Sequence, residues 1–302
     1  MNDPLLFVTG ATGFIGRRFL TKVTVDGSFR VRCLSRKTTS ADMGRRVELA
    51  MGDLREPASY LDALDGCEMV VHLAATTGKA RPADYFAVND QGTRALLEAC
   101  HRTGVQRIIF ASSIATTYRD KTAYHYAWSR QQAERAVQDS GLDYAIVRPT
   151  IVLGEGSPIG ERLVALAGLP ITPLFGDGSV RVQPIHVDDV ATFLASIVQD
   201  RPLPNRAINL GGPDVLTFED LIRRIRRLVR GSDSPIVHLP ARRTIALLAW
   251  MERWLPPLLP ITAGQLAAFV NDSIAVSELP AGRDVPPMKT IDEMLRLLVS
   301  HG

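Results

Sequence analysis

The segment Tyr124-His125-Tyr126-Ala127-Trp128-Ser129-Arg130 carries a phenol and, four residues on, a guanidinium. On a helix, positions i and i+4 share a face, so Arg130 lies beside Tyr126, whereas Tyr124 has only Trp128 at that spacing. Tyr126 is therefore the phenol with a cation in reach. A tyrosine titrates near pH 10 in water, and a general base has to titrate near its working pH. Closing a gap of about three units takes roughly 4 kcal/mol of preferential phenolate stabilisation, and a cation within about 4–6 Å supplies a good part of it. Arginine spreads its charge over a planar fork and is bulkier than a lysine ammonium, which weakens that effect. A neutral phenol is already the acid that a reduction needs, so this pair suits reduction better than oxidation.

A second constellation opens the chain. In Thr9-Gly10-Ala11-Thr12-Gly13-Phe14-Ile15-Gly16, three glycines stand where a short apolar run gives way to a helical pattern. Glycines so spaced permit a tight turn, close backbone approach to a pyrophosphate and tight helix–strand packing. The following helix offers unpaired N–H groups and its positive end to phosphates. The triplet alone is a weak signal; the strand before it, the helix after it and its place in the first βαβ unit make it a dinucleotide fingerprint. The next strand ends in Ser35, Arg36 and Lys37 instead of the carboxylate that would hold a ribose 2′-hydroxyl. A hydroxyl and cations there suit a 2′-phosphate, so NADP(H) is expected in preference to NAD(H), with a solvated basic turn as the bland alternative. Asp53 and Leu54 follow a further strand and are placed to meet the adenine.

These groups need a scaffold. Apolar, β-branched runs at "LLFVT", "RVRCLS", "EMVVHLAA", "QRIIFASS" and "DYAIVRP" predict strands, alternating with helical patterns such as "NDQGTRALLEACHRTG", where Gly104 is a C-cap. Such alternation implies right-handed crossovers and a Rossmann-type α/β fold: a doubly wound parallel sheet with helices on both faces. After Pro149 the pattern loosens. "TIVLGEGSPIGERL" and "LPITPLFGDGSV" read as loops with short elements, "QPIHVDDVATFLASIVQD" as a strand end and a helix with Asp188 or Asp189 near its N-cap, and "AINLGG" as a strand. We therefore expect a dinucleotide-binding domain over 1–150, completed by about 178–211, and a smaller, mostly helical C-terminal cap from 151–177 and 212–302.

Composition sets limits. Hydrophobic residues at 46% with 22% charged describe an ordinary globular protein. A net charge of +3 is too weak to suggest nucleic acid. Cys33, Cys67 and Cys100 lack metal-ligand spacing and read as reduced core thiols, so a cytoplasmic location and no metal are expected. The opening "MNDPLLFVTG" has neither a basic region nor a long apolar run, so no signal peptide is expected.

Together these motifs resemble the extended and atypical short-chain dehydrogenase/reductase superfamily, the NAD-dependent epimerase/dehydratase group. The likeness rests on the glycine turn, "GDL" at 52–54, "VVHLAA", "YFAVNDQGTRALLEA" with Asn89, "ASS" with Ser112 and Ser113, "RPTIVLG", "PIHVDDVA" and "INLGG", and runs from about residue 5 to about 220. "RVQPIHVDDVA" and the length look most like the atypical branch that includes the NADPH-binding accessory subunit of respiratory complex I. The resemblance implies catalytic roles. Ser113, in preference to Ser112, binds the substrate oxygen and Tyr126 exchanges its proton. Asn89 holds a water and the backbone of the relay, and Arg130 stands where the family's ribose-binding lysine belongs. It implies cofactor contacts at Thr9, Gly10, Thr12, Gly13, Phe14, Ile15, Gly16, Ser35, Arg36, Lys37, Asp53, Leu54, Leu73, Ala74, Ala75, Tyr126, Arg130 and Pro149. Homodimers built on the helix bearing Tyr126 and the preceding long helix follow from the resemblance alone.

Specificity should come from about Gly154 to Asp177 and from beyond residue 212. His186 reads as a structural strand-end histidine, with ligand contact as the alternative. Between Leu221 and Trp254 eight arginines face only Asp233 and Glu252. "LIRRIRRLVR" keeps Leu221, Ile222, Ile225 and Leu228 near one helical face, so a solvated basic face is expected, with an anion site as the sharper alternative. Trp250, Trp254 and Leu255 add apolar bulk; packing in the cap is expected, and contact with a membrane surface is the alternative. The leading functional expectation is an NADP(H)-dependent oxidoreductase acting on a small nucleotide-sugar or lipid-like carbonyl or hydroxyl compound. A non-catalytic NADP(H)-binding subunit and a nucleotide-sugar epimerase are the alternatives. Dehydration would need an acid–base pair that "SSIATTY" lacks.

Overall fold

The computed structural model describes residues 3–25, 28–38, 46–122, 124–233, 235–251, 263–266, 270–275 and 287–300. Glu252, Trp254 and Leu255, singled out above, lie outside the described residues. Along the chain run β1 (Leu5–Thr9), α1 (Phe14–Val25), β2 (Arg30–Ser35), β3 (Val47–Met51), β4 (Met69–His72), α2 (Pro82–Tyr85), α3 (Gly92–Thr103), β5 (Arg107–Ala111), α4 (His125–Gln138) and β6 (Asp143–Pro149). They continue with β7 (Val152–Leu153), α5 (Pro158–Ala167), β8 (Thr172–Phe175), β9 (Arg181–Val182), β10 (Ile185–His186), α6 (Val187–Val198), β11 (Arg206–Leu210), β12 (Leu216–Thr217), α7 (Phe218–Arg230), β13 (Ile236–Leu239), α8 (Ala241–Met251), α9 (Ala263–Leu266) and α10 (Ile291–Ser300). The chain divides into two compact units: 1–113, 128–148 and 190–208 form the first, and 114–127, 149–189 and 209–302 the second.

The first unit holds the expected sheet, seven strands in the order β11-β6-β5-β4-β1-β2-β3. The pairs β3–β2, β2–β1, β1–β4, β4–β5 and β5–β6 are parallel. β1, β4 and β5 are buried at every position, which is why their sequences read as unbroken apolar runs and not as alternation. The edge strand β3 is half exposed. Phe7, Val70, Ile108, Phe110 and Ile146 share one core with Leu96, Cys100 and Val137 of the helices. Gly104 closes α3 in the left-handed region at φ 77°, its N–H donating to Cys100 O. The three thiols are free, and burial raises Cys33 and Cys100 to about 12 and Cys67 to about 11, so they stay protonated as core fillers. No described helix is long and apolar enough to cross a membrane.

The second unit packs α5, α7 and α10 around Leu163, Leu174, Phe218, Ile222, Met294 and Leu298. α5 is a ten-residue helix where loops were expected; Ser157 Oγ accepts from Gly160 N at 3.1 Å and Pro158 fills the first turn. α7 differs from its expectation too. Leu221, Ile222 and Ile225 are buried, but Leu228 is 45% exposed, and Arg226 is buried and not solvated. Its Nη1 donates to Ala167 O at 2.7 Å and Leu169 O at 2.5 Å, while Arg230 donates to Gly168 O at 2.7 Å. These guanidinium groups satisfy the orphan carbonyls that end α5, and their charge opposes that helix's negative pole. Arg223, Arg224 and Arg227 pair with Glu219, Asp292 and Asp233. The basic helix is thus largely neutralised by its own surroundings.

Arg226→Leu would leave buried carbonyls without donors and is expected to cost about 2 kcal/mol. Arg224→Leu removes only an exposed pair and should cost under about 1 kcal/mol. Urea denaturation of both variants measures the difference; equal losses would remove the capping role of Arg226.

Candidate active site

The strand order reverses between β1 and β4, so a crevice opens beyond their carboxyl ends, where ligands of such sheets bind. The glycine turn occupies that position. Gly10 has φ 73°, and a Cβ on it would lie 2.5 Å from Ala74 N at the end of β4. A Cβ on Gly16 would lie 2.1 Å from Gly10 O. Neither position admits a side chain: the first brings the turn against the β4 loop, the second brings α1 against the turn. Gly13 N donates to Gly10 O at 3.0 Å, and α1 starts at Phe14 with its first N–H groups facing out of the turn's end.

A buried hydrogen-bond chain ties these ends together. Ala74 N–H donates to Thr9 Oγ1 at 3.2 Å, Thr9 Oγ1 meets His72 Nδ1 at 2.6 Å, and His72 Nε2 meets Thr93 Oγ1 at 2.9 Å. Thr93 Oγ1 donates to Asn89 O at 2.6 Å. The termini fix every proton, because an amide can only donate and a carbonyl only accept. Thr93 has used its proton on Asn89, so His72 donates from Nε2 and accepts the Thr9 hydroxyl proton at Nδ1. His72 is neutral in this arrangement. Burial foremost, then the positive charge of Arg130, lowers it to about 3. Neither His72 nor Thr93 was read from sequence as part of the site; a histidine inside the apolar run "VVHL" was the available signal.

Asn89 lies fully buried in a π-helical turn, Phe86–Gln91, that precedes α3. Its Oδ1 accepts from Thr76 N at 2.8 Å, and its Nδ2 donates to Thr76 O at 3.1 Å and Ser129 Oγ at 3.0 Å. The amide therefore clamps the backbone after β4 and reaches α4 one residue before Arg130. Arg130 is itself buried, its Nη2 donating to Ala111 O and its Cζ lying 4.3 Å from the centroid of the Phe110 ring. Phe110 in turn stacks on His72 at 5.3 Å. The flat guanidinium is housed against an aromatic face, a contact geometry that suits its delocalised charge.

Ser112 is buried; its N donates to Val147 O at 2.6 Å and its Oγ has no hydrogen-bond partner among the described residues. Ser113, half-buried, is the more accessible hydroxyl and leads into a 3₁₀ turn, Ile114–Thr117. In the second unit Tyr126 stands in the first turn of α4, half-buried, packed with Tyr124 at 5.8 Å between ring centroids and near Ile114 and Ala115. His186 is buried and accepts from Asp188 N at Nδ1, 3.2 Å, as a strand-end histidine would.

At the far end of the crevice, Ser35 Oγ turns back to donate to Lys37 O at 2.7 Å, which leaves Arg36 and Lys37 exposed beyond β2. Asp53 takes a bidentate Arg55 at 2.6 and 3.0 Å. That contact foremost, with a smaller contribution from Arg36, holds Asp53 down at about 2. Leu54 is buried against Gly92, where a Cβ would come within 3.0 Å of it. The cradle under the turn and the orphan Ser112 hydroxyl fit a nicotinamide dinucleotide.

A family model described as the NAD dependent epimerase/dehydratase family matches residues 6–211. The chain belongs to that family. It is 32% identical over 251 residues to a ceramide reductase of Caulobacter vibrioides, covering 82% of this chain and 77% of that one. It is 27% identical to a 2-alkyl-3-oxoalkanoate reductase of Stenotrophomonas maltophilia, covering 97% and 98%. The fold is that of MoeE5, solved with UDP-glucuronic acid and NAD, at a TM-score of 0.73 and 21% identity over 98% of both chains. Membership makes the chain one of the NAD(P)-dependent oxidoreductases and epimerases; the narrower likeness to the complex I branch rests on the sequence motifs alone.

His72 generates a stability prediction. Its folded value near 3 lies below the ordinary 6.5, so between those values the unfolded chain binds the proton and the folded chain does not. The stability this contributes is complete above pH 6.5 and is lost as pH falls toward 3. At pH 4.5 the loss is about 2–3 kcal/mol. Thermal midpoints from pH 7 to 4.5 should fall more steeply for the wild type than for His72→Gln; parallel profiles would refute the buried neutral histidine.

Proposed function

We propose that the chain is an NADP(H)-dependent reductase of a lipid-like ketone, with Tyr126 as proton donor. The observation that carries the cofactor choice is Arg36, exposed beyond β2 and close enough to Asp53 to help depress it, on a strand that ends without a carboxylate. A guanidinium there pairs with a 2′-phosphate and Lys37 adds charge. The bound nicotinamide supplies hydride. Tyr126 gives its phenolic proton to the carbonyl oxygen, Ser113 donates a hydrogen bond to the same oxygen, and Arg130 sustains positive charge near the phenolate left behind. Asn89 fixes the backbone at Thr76 and the helix at Ser129, so that the relay is held before substrate arrives.

The substrate class is supported by the relatives. One reduces ceramide by its name, and another a ketone flanked by alkyl chains. Both are reductases, in line with a phenol that need only act as an acid. The second reading, a non-catalytic dinucleotide-binding role, rests on Arg130 at the position where the resemblance implies a lysine; the guanidinium's place over the Phe110 ring is compatible with either role.

Steady-state kinetics with NADPH and NADH on a long-chain 3-keto amide test this reading. NADPH should be preferred, and Arg36→Ala should raise the KM for NADPH roughly tenfold or more while leaving that for NADH nearly unchanged. Tyr126→Phe should lower kcat about 100- to 10,000-fold. A Tyr126→Phe enzyme as active as the wild type would end the catalytic assignment. An unchanged coenzyme preference in Arg36→Ala would end the NADP(H) assignment.

A further inference from the structure

Strands β8 and β13 pair in parallel, with Thr172 beside Ile236, Pro173 beside Val237, Leu174 beside His238 and Phe175 beside Leu239. Side chains alternate between the faces of a strand. One face carries Thr172 and Leu174, both fully buried, and Ile236, packed with Leu174 in the core of the second unit, with exposed His238 at its end beside Glu219. The other face carries Pro173, Phe175, Val237 and Leu239, and Ile171 directly precedes β8. A two-stranded ribbon covered on one side should alternate apolar with polar. Here the outer face is apolar too, with Ile171 56% and Val237 45% exposed. Two residues beyond β13, α8 begins, and it exposes Leu247 at 56% and Trp250 at 61% on one side, at i and i+3. Helix and ribbon thus leave uncovered the bulky side chains that ordinarily fill a core.

Exposed guanidinium groups occur in the same stretches of chain. Arg230, exposed, donates to Gly168 O three residues before Ile171, and Arg227 lies exposed one turn earlier, paired with Asp233. Arg243 is exposed in the first turn of α8. Asp177 lies exposed past the far end of β8. Exposed aliphatic and indole side chains together with guanidinium groups match an anionic bilayer surface, where the former enter the acyl boundary and the latter meet the phosphates.

We propose that the outer face of the β8–β13 ribbon, with the exposed side of α8, docks on an anionic membrane surface. Its purpose rests on the lipid-like substrate proposed above: a ketone with long alkyl chains resides in a bilayer, and an enzyme that reduces it gains by sitting there. The docking itself needs no turnover, so it is tested apart from the reaction.

Flotation of the full-length protein with vesicles of phosphatidylcholine alone or with 30% phosphatidylglycerol (about one anionic lipid in three), without coenzyme or substrate, gives the readout. Wild type is expected to float with the anionic vesicles and to be released by added salt. Ile171→Glu with Val237→Glu should lower the bound-to-free ratio at least tenfold, and Arg243→Gln severalfold, with reduction of a short soluble ketone unchanged. Should the glutamate variant fail to fold, as judged by circular dichroism, Leu247→Ser with Trp250→Ser makes the same test on the helix. Absence of wild-type flotation overturns the proposal, as does flotation that none of these variants weakens. A doubled mass in solution that Ile171→Glu abolishes, without flotation, assigns the face to a second copy of the chain and also overturns it. Loss of ketone reduction in every preparation would strike the proposed function and leave the flotation result standing.

Discussion

The site depends on how closely two parallel strand ends can approach. Gly10 and Ala74 touch where any side chain on Gly10 would collide with backbone, and that proximity brings Thr9 within reach of both the Ala74 amide and the His72 ring. From there the chain of donors passes through Thr93 to the carbonyl of Asn89. Each member is buried, so each would cost free energy if left unpaired, and the whole can be satisfied in only one direction. The π turn belongs to the same constraint. It presents the Asn89 carbonyl to the Thr93 hydroxyl four residues on, and aims the Asn89 amide at Thr76 and Ser129. One neutral histidine thereby links the end of β1 beside the glycine turn to the π turn that carries Asn89.

Arg130 is best understood against that background. A guanidinium in the interior needs acceptors and a surface that tolerates spread charge. Ala111 O accepts from Nη2, the Phe110 ring provides the surface, and the ring's other neighbour is His72. The charge of Arg130 contributes to keeping His72 unprotonated, so this guanidinium is coupled to the hydrogen-bond chain. A cation held this firmly is a fixed electrostatic element.

Much of this was legible in the residues. The central strands β1, β4 and β5 are nearly continuous apolar runs because both faces are covered, and a period-free run of that length between turn signals has few other readings. The strand–glycine–helix turn is a local pattern with a local physical cause, and so is the i, i+4 spacing of Tyr126 and Arg130 on α4, whereas Asn89 comes only from the family resemblance. What escaped was long-range. His72 looked like one more residue of a strand, since its partners are 63 and 21 positions away. The glycines and prolines around α5 read as loops with short elements, and the Ser157 cap with Pro158 in the first turn is what makes a full helix there. Arg226 was placed in solvent because nothing in "LIRRIRRLVR" reveals that the end of another helix lies over it. Its burial lets Leu228 face outward, reversing the simple amphipathic reading.

The arginines of α7 divide by what they meet. Where a helix end offers bare carbonyls, Arg226 and Arg230 are absorbed into the fold; where carboxylates lie within a turn or on α10, Arg223, Arg224 and Arg227 form ion pairs. The count of charges in a sequence therefore overstates the field a partner would feel, since most of these cations already have a counterpart. Arg243 belongs to α8 and has neither kind of neighbour among the described ion pairs. The outward-facing valine and isoleucine of the ribbon are likewise uncompensated, and a surface under no other demand would replace them readily with polar residues.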